Sequence, residues 1–166
     1  MPPPTIRPGT AYDSDSVASL VHRSHTISFA PYASPAWVGS RDLSEYRSKW
    51  ELVLADDSED AITLVAASNG SIVGTVHVSP IDSPEFDAQL NGMHVDPIQT
   101  GGGIGSLLMK GAIAFIEQRG FKRVELGVIA GNIGARRFYE KHGWELFEEL
   151  PDGIEGVPIA IYSLTV

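Results

Sequence analysis

The sequence predicts an α/β protein of the α+β type, with helices on both faces of one mixed, mainly antiparallel sheet of about seven strands. Two observations carry this prediction. An Asn-Gly pair at 69–70 separates two β-rich runs, which is a strong hairpin signal. Two strand–helix units follow later in the chain, and such units are typical of parallel connections. A hairpin block followed by strand–helix units gives a sheet with both kinds of pairing.

The first half of the chain predicts two helices after a short opening strand. Asp13 or Asp15 can cap the first helix, whose apolar residues recur with a helical spacing. Asp42, followed by Glu45 three residues later, is a capping-box pattern that opens the second helix. Residues 29–40 hold two prolines and a glycine among aromatic residues, which predicts a loop.

The second half predicts two more helices. One begins after a glycine-rich turn and ends at Gly120, and the other begins at Asn132 and ends at Gly143. A glycine-rich loop is expected between the last two strands. The predicted strands are 5–7, 61–67, 71–78, 89–95, 124–129, 144–149 and 158–166.

Length and composition favour a single domain over residues 1–166, with a proline-rich and mobile start at 1–4. The chain has no cysteine, no apolar run of membrane-spanning length and no secretory signal, so we expect a cytoplasmic protein. The net charge of −9 argues against a nucleic acid partner. The same charge would attract a cationic amine, although it is equally typical of a protein that is merely soluble.

Residues 95–108 contain the first candidate site. Four glycines stand between a predicted strand and a helix: Gly101, Gly102, Gly103 and Gly105. Without Cβ atoms, this turn lets an anion approach the backbone N–H groups that open the helix. A bare tight turn is the plain alternative. A P-loop is excluded because Lys is absent after Gly105, and a dinucleotide fingerprint with Glu125 as its acid lacks the third glycine.

Residues 132–144 contain the second candidate site. Ala135, Phe138, Tyr139 and His142 recur at helical spacing and therefore share one face of the predicted helix. On its own this pattern is typical of an amphipathic helix with a core tyrosine. Arg136, Arg137 and Lys141 are expected to be solvated charges on the same helix.

Together, the two segments resemble the cofactor motifs of the GNAT superfamily, and the element order resembles the GNAT fold along nearly the whole chain. The resemblance implies an N-acyltransferase that moves an acetyl group from acetyl-CoA to a primary amine of a small molecule or peptide by direct attack. Coenzyme A is then a co-substrate, and no metal is required. The resemblance is also compatible with a homodimer. A non-catalytic acyl-CoA-binding sensor and a dinucleotide-binding protein are the alternatives.

The resemblance also implies roles for particular residues. Tyr139 would be the general acid that protonates the departing thiolate, and Asn132 would contact the pantetheine arm. Thr100 stands where the family has Gln or Arg, which is a departure that puts more weight on backbone donors. The implied coenzyme A site comprises Met93, His94, Val95, Thr100, Gly101, Gly102, Gly103, Ile104, Gly105, Ser106, Asn132 and Phe138.

The general base and the acceptor pocket are less sharply defined by the sequence. Glu85 and His77 are candidates for the base, and a water chain to solvent is an equal alternative. Phe29, Tyr32 and Trp37 are candidates for the acceptor pocket, where aromatic walls suit a cationic or aromatic amine. The five histidines show no HExxH-like spacing, so no metal site is expected.

Overall fold

The structure is a computed structural model that describes residues 3–99 and 101–166. The expectation of a mobile start therefore falls partly on Met1 and Pro2, which lie outside the described residues. The described strands are β1 Thr5–Pro8, β2 Ile62–Ser68, β3 Ser71–Pro80, β4 Ala88–Val95, β5 Arg123–Ile129, β6 Glu145–Ile154 and β7 Val157–Thr165. The described helices are α1 Ser14–Arg23, α2 Pro35–Gly39, α3 Leu43–Ala55, α4 Ile104–Arg119 and α5 Ile133–Lys141.

One seven-stranded sheet has the order β1-β2-β3-β4-β5-β7-β6. Every neighbouring pair is antiparallel except β4 and β5, which are parallel. This arrangement confirms the predicted mixed, mainly antiparallel sheet. The Asn-Gly pair makes the β2–β3 turn, where Asn69 and Gly70 both have positive φ, at 51° and 79°.

Helices cover both faces of the sheet because neighbouring strand residues point to opposite sides. On β2, Val65 packs with Val17 and Trp50 from α1 and α3. Its neighbour Leu64 belongs to the larger core cluster, which contains Leu108 of α4 and Tyr139 of α5. The predicted placement of helices on both faces is confirmed.

The prediction of a loop was wrong for residues 29–40 and for the segment after residue 149. Residues 29–40 contain a 3₁₀ turn at Ala30–Tyr32 and the short helix α2. Ser34 caps α2 by accepting a hydrogen bond from the Trp37 N–H at 3.1 Å, and Pro35 occupies its first turn. Proline there starts a helix instead of breaking one. The glycine-rich loop predicted after residue 149 is largely strand, since β6 and β7 are joined by a tight turn at Glu155 and Gly156, with φ of 52° and 81°.

The central irregularity of the sheet is the divergence of β4 from β5. These strands pair only at Ala88–Val124 and Gln89–Glu125. Farther along β4, Thr75 pairs with His94 and His77 pairs with Asn91, so β4 holds one extra residue opposite β3. This bulge bends the strand away from β5.

Gly92 makes this bulge possible. Its φ is +59°, and a methyl group at this position would come within 2.9 Å of the Trp50 ring. Trp50 is only 1% exposed, so the ring has little room to move. The bulge therefore needs a residue without a side chain.

We expect Gly92→Ala to lower the free energy of unfolding by about 2–4 kcal/mol, because it combines a strained positive φ with overpacking. Gly70→Ala is the matched control, since Gly70 also has positive φ (79°) but has no atom within 4 Å of the added methyl. We expect Gly70→Ala to lower the free energy of unfolding by about 1–2 kcal/mol. Urea unfolding measures both. Equal losses in the two variants would contradict the role of the Trp50 contact.

Candidate active site

A cavity of about 960 Å³ occupies the opening between β4 and β5. Its wall continues over the glycine turn, one face of α5, and a far end formed by α3 and the segment after α1. The sequence-predicted residues that line it are Phe29, Trp37, Met93, His94, Val95, Gly101, Gly103, Ile104, Gly105, Ser106, Asn132, Phe138 and Tyr139. Gly102 lies in the turn beside the cavity wall, and Thr100 lies outside the described residues.

The glycine turn leaves the start of α4 open to a ligand. Gly103 precedes the helix in a left-handed conformation with φ of 81°, and no side chain within the described chain caps the helix. Its first-turn N–H groups therefore have no intrahelical partner. These donors and the helix dipole together form an anion site. Gly105 also lets α5 approach closely, since a methyl there would be 3.3 Å from the Phe138 ring.

Tyr139 projects from α5 into the same cavity. The residue is 8% exposed, and its ring lies 5.5 Å from that of Phe138. Burial raises the pKa of its phenol to about 12, so the phenol carries its proton throughout the neutral range. Asn132 caps α5 by accepting a hydrogen bond from the Ala135 N–H at 3.2 Å. Its side chain therefore orients the helix that carries Tyr139.

The prediction that Arg136 is a solvated charge was wrong. Its Nε donates to the Tyr162 hydroxyl at 3.0 Å, and one Nη donates to the Ala130 carbonyl at 2.9 Å. The other Nη pairs with Glu149 at 2.8 Å. These partners belong to β7, the end of β5 and β6, so one guanidinium joins α5 to the sheet. At the other end of α5, the His142 Nε2 and the Ser106 hydroxyl are 3.1 Å apart, which links α5 to the first turn of α4.

The far end of the cavity contains two histidines, of which His94 is buried and His25 is half-buried. The chain continues from α1 as a π-helical turn at Ser24–Ser28, which directs His25 inward. The His25 Nδ1 is 2.7 Å from the Tyr46 hydroxyl. On β4, the His94 Nδ1 is 2.8 Å from the Ser24 hydroxyl. The two imidazole rings meet edge to face at 5.0 Å.

Both imidazoles are neutral at pH 7. Burial, with the nearby charges of Lys49 and Arg41, lowers the pKa of His25 to about 4. Burial, with His25 and Lys49, lowers the pKa of His94 to about 3. Their environment therefore disfavours a positive charge.

Sequence reasoning missed His25 and Tyr46. The available signal was the apolar face of α1, which includes Val21 and leads to Ser24. Extending that face by one residue beyond Ser24 reaches His25, four positions after Val21. Tyr46 lies on α3, and only the packing of α3 against the π-helical turn brings it to His25.

Three sequence-predicted candidates stand apart from the cavity wall. Glu85 is exposed before β4 and faces Glu125 at the paired end of β4 and β5, where its charge adds to burial in raising the pKa of Glu125. The His77 Nδ1 is 2.8 Å from the Thr63 hydroxyl on the neighbouring strand. Tyr32 is 38% exposed. Glu85 and His77 are therefore badly placed to take a proton from a group inside the cavity.

Neither a metal-binding cluster nor a membrane-spanning helix occurs among the described residues. Within residues 3–99 and 101–166, no three His, Asp or Glu side chains are grouped so that they could hold a metal ion. Across the same part of the chain, no helix combines the length and the apolar character that a membrane crossing requires.

A glycine turn at a helix start, a divergent strand pair and a buried tyrosine therefore meet at one cavity. Residues 26–144 match the model of the acetyltransferase (GNAT) family. The chain therefore belongs to this family and is an acetyltransferase.

Known relatives agree with this assignment. The chain is 32% identical over 146 residues to an uncharacterised N-acetyltransferase of Methanocaldococcus jannaschii; the match covers 85% of this chain and 60% of that protein. The structure is similar to PaiA N-acetyltransferase from Thermoplasma acidophilum in complex with coenzyme A, with a TM-score of 0.81, 19% identity and coverage of 98% and 99% of the two chains. It is also similar to YncA, an acetyltransferase from Salmonella typhimurium with its cofactor acetyl-CoA, with a TM-score of 0.75, 18% identity and coverage of 98% and 93%.

The buried histidines predict a pH dependence of stability. Between about pH 6.5 and pH 4, the unfolded chain protonates His25 while the folded chain does not, so the unfolded state binds more protons. Stability is therefore complete above about pH 6.5 and falls as the pH is lowered, by about 1.4 kcal/mol per pH unit for each such histidine.

Denaturant unfolding at pH 7.5, 5.5 and 4.5 checks this prediction. His25→Phe keeps an aromatic ring against Phe29, whose ring lies 4.9 Å from that of His25. The stability of this variant should fall less steeply with acid than that of the wild type, whatever its stability at pH 7.5. If the free energy of unfolding falls equally steeply with pH in the wild type and in His25→Phe, the pKa of His25 is the same in the folded and unfolded states.

Proposed function

We propose that this acetyltransferase moves the acetyl group of acetyl-CoA to a primary amine of a small molecule or peptide by direct attack. One observation carries the proposal: a single cavity joins the start of α4, which no described side chain caps, to the buried phenol of Tyr139. A diphosphate held at one end and a proton donor at the other are what acyl transfer from a coenzyme A thioester requires.

The residues at the glycine turn fit the diphosphate of coenzyme A. No described side chain accepts a hydrogen bond from the N–H donors at the helix start, and Gly101 and Gly103 have open space where a side chain would stand. Ile104, Gly105 and Ser106 supply the first-turn N–H groups. We assign these donors to the diphosphate. They need no cationic side chain, which compensates for the departure at Thr100.

The free side of β4 fits an extended chain. Beyond Gln89 this strand has no pairing with β5, so backbone groups of residues 90–95 face the cavity side of the opening. An extended amide-containing arm can pair with them as an added strand would. We assign a backbone N–H near His94 or Val95 to the thioester oxygen, where it would stabilise the charge that develops on attack.

Tyr139 fits the role of proton donor to the leaving thiolate. A phenol with a pKa of about 12 is a weak acid, whereas an ordinary thiol has a pKa of about 8.5. The same water-poor cavity would also raise the pKa of the thiol, because burial disfavours the thiolate. The difference in pKa between the Tyr139 phenol and the thiol is therefore smaller than the value for the phenol alone suggests.

The proton of the attacking amine is assigned to solvent. Glu85 and His77 lie outside the cavity wall, and the wall opens to solvent beside the exposed residues Glu45 and Lys49. The surroundings that keep His25 and His94 uncharged also favour the neutral form of an amine. An amine bound in this form is already nucleophilic.

We expect Tyr139→Phe to lower kcat at least about 100-fold, because the variant keeps the ring but loses the transferable proton. Its affinity for acetyl-CoA should stay within about twofold, since the hydroxyl is not assigned to binding. Steady-state kinetics on an amine panel and calorimetric titration with coenzyme A measure the two effects.

Tyr12→Phe is the matched control, because Tyr12 is 98% exposed. Unchanged kcat in Tyr139→Phe would remove the acid role, and tight binding without turnover in the wild type would indicate a sensor.

A pair of charge variants tests the diphosphate site. Gly102→Glu and Gly102→Gln add side chains of nearly equal size at an exposed residue with no positive φ. The added carboxylate would repel a diphosphate beside the start of α4, so Gly102→Glu should bind acetyl-CoA at least about tenfold more weakly than Gly102→Gln. Thermal shift with acetyl-CoA measures this difference, since a ligand of the folded state raises Tm. Equal affinities would place the diphosphate elsewhere, and stabilisation by NAD alone would favour a dinucleotide-binding protein.

A further inference from the structure

The far end of the cavity has walls that suit a flat apolar group. The His25 ring stands among the rings of Phe29 at 4.9 Å, Tyr46 at 5.5 Å and Trp37 at 6.0 Å. Phe29, Trp37 and Tyr46 also line the cavity. Because His25 is neutral at pH 7, the four rings form a largely uncharged aromatic surface.

Two pairs of charged residues line this end, and one pair is already satisfied. Arg41 pairs with Glu155 at 3.0 Å, and its Nε donates to the Trp37 carbonyl at 3.1 Å. Its guanidinium also lies 4.4 Å from the centre of the Trp37 ring. The charge of Arg41 is therefore already engaged by the protein.

The second pair is Glu45 and Lys49, which lie on one face of α3 and both line the cavity. Among the described residues, no ion pair within 4.0 Å forms at either side chain. Lys49 extends over the Trp50 ring, with its Nζ 5.5 Å from the ring centre. Trp50 in turn contacts Gly92 at the β4 bulge. The unpaired ammonium therefore stands beside the strand assigned to the thioester.

The charge of Lys49 acts on the interior of this end. It contributes to the lowered pKa of His25 and of His94, after burial in both cases. A positive potential here disfavours a second cation and favours an anion. An acceptor with only a protonated amine gains nothing from Lys49, whereas an acceptor with a carboxylate beside its amine gains an ion pair.

We propose that the acceptor is an α-amino acid with an aromatic or large apolar side chain, whose carboxylate pairs with Lys49 while its side chain packs against Phe29 and Trp37. This inference rests on the proposed function. The amine nitrogen forms a bond to the acetyl carbon as the carbon–sulfur bond breaks, and the thiolate takes the proton of Tyr139. The amine proton leaves to solvent, and solvent returns a proton to the Tyr139 phenolate. The products are an N-acetylamino acid and coenzyme A. Pairing with Lys49 also offsets the carboxylate charge that otherwise holds the adjacent amine protonated.

Two acceptors that differ only in the carboxylate test the proposal: L-phenylalanine and 2-phenylethylamine. Release of coenzyme A is followed with a thiol reagent, against which the protein gives no background because it has no cysteine. We expect kcat/KM for L-phenylalanine to exceed that for 2-phenylethylamine at least about tenfold. Lys49→Met should abolish this preference and Lys49→Arg should retain it.

Lys110→Met, at an exposed residue of α4 outside the cavity wall, is the matched control and should leave the preference unchanged. The inference would be overturned if the wild type preferred 2-phenylethylamine and Glu45→Gln lost this preference. This end of the cavity would then bind cations. An unchanged preference in Lys49→Met would overturn the inference as well. Turnover of other amines, with neither test compound acetylated, would reject the amino acid acceptor but keep the proposed function. If acetyl-CoA binds but no amine is acetylated, both the amino acid acceptor and the proposed function are rejected.

Discussion

The divergence of β4 from β5 is the constraint on which the rest of the structure depends. Two neighbouring parallel strands normally continue their hydrogen bonds, and buried backbone groups without partners are unfavourable. Here the pairing ends after Gln89–Glu125 because β4 bulges at Gly92. Each strand is held by its other neighbour, β3 and β7 respectively, so the sheet stays continuous while the opening remains. The unpaired edge inside the protein is thereby available to an extended ligand.

The two helices beside this opening are fixed to each other and to the sheet. Gly105 allows α4 and α5 to pack closely, and the Ser106–His142 contact joins them near the glycine turn. Arg136 anchors α5 to the strands on its other side. Tyr139 lies between these attachments. The position of the phenol relative to the anion site is therefore set by packing, which is how a proton donor keeps a fixed distance from a bound thioester.

Local charge at the acceptor end differs from the charge of the whole molecule. The chain carries a net charge of −9, which attracts cations at long range. At the acceptor end of the cavity, however, Arg41 is paired with Glu155, the exposed Lys49 has no ion pair among the described residues, and His25 and His94 are neutral. The local potential at this end is therefore positive although the molecule as a whole is negative, because Coulomb interactions weaken with distance.

Features formed by residues close together in the chain are encoded locally. The Asn69–Gly70 turn, the glycine turn before α4 and the Asn132 cap of α5 are local backbone chemistry, so their positions could be predicted. The element order followed, and with it the mixed sheet. The helix α2 was missed although its signal is local, because Pro35 was interpreted only as a helix breaker.

Tertiary structure alone decided which distant side chains meet. His25 faces His94, Arg136 reaches three separate strands or strand ends, and Lys49 stands beside the β4 bulge. The His25 and Lys49 contacts depend on the register of β4 and on the packing of α1 and α3, whereas the Arg136 contacts depend on where α5 lies against the sheet. No local pattern encodes either arrangement. The same packing leaves Glu85 and His77 away from the cavity, although their sequence positions near β4 had made them candidates.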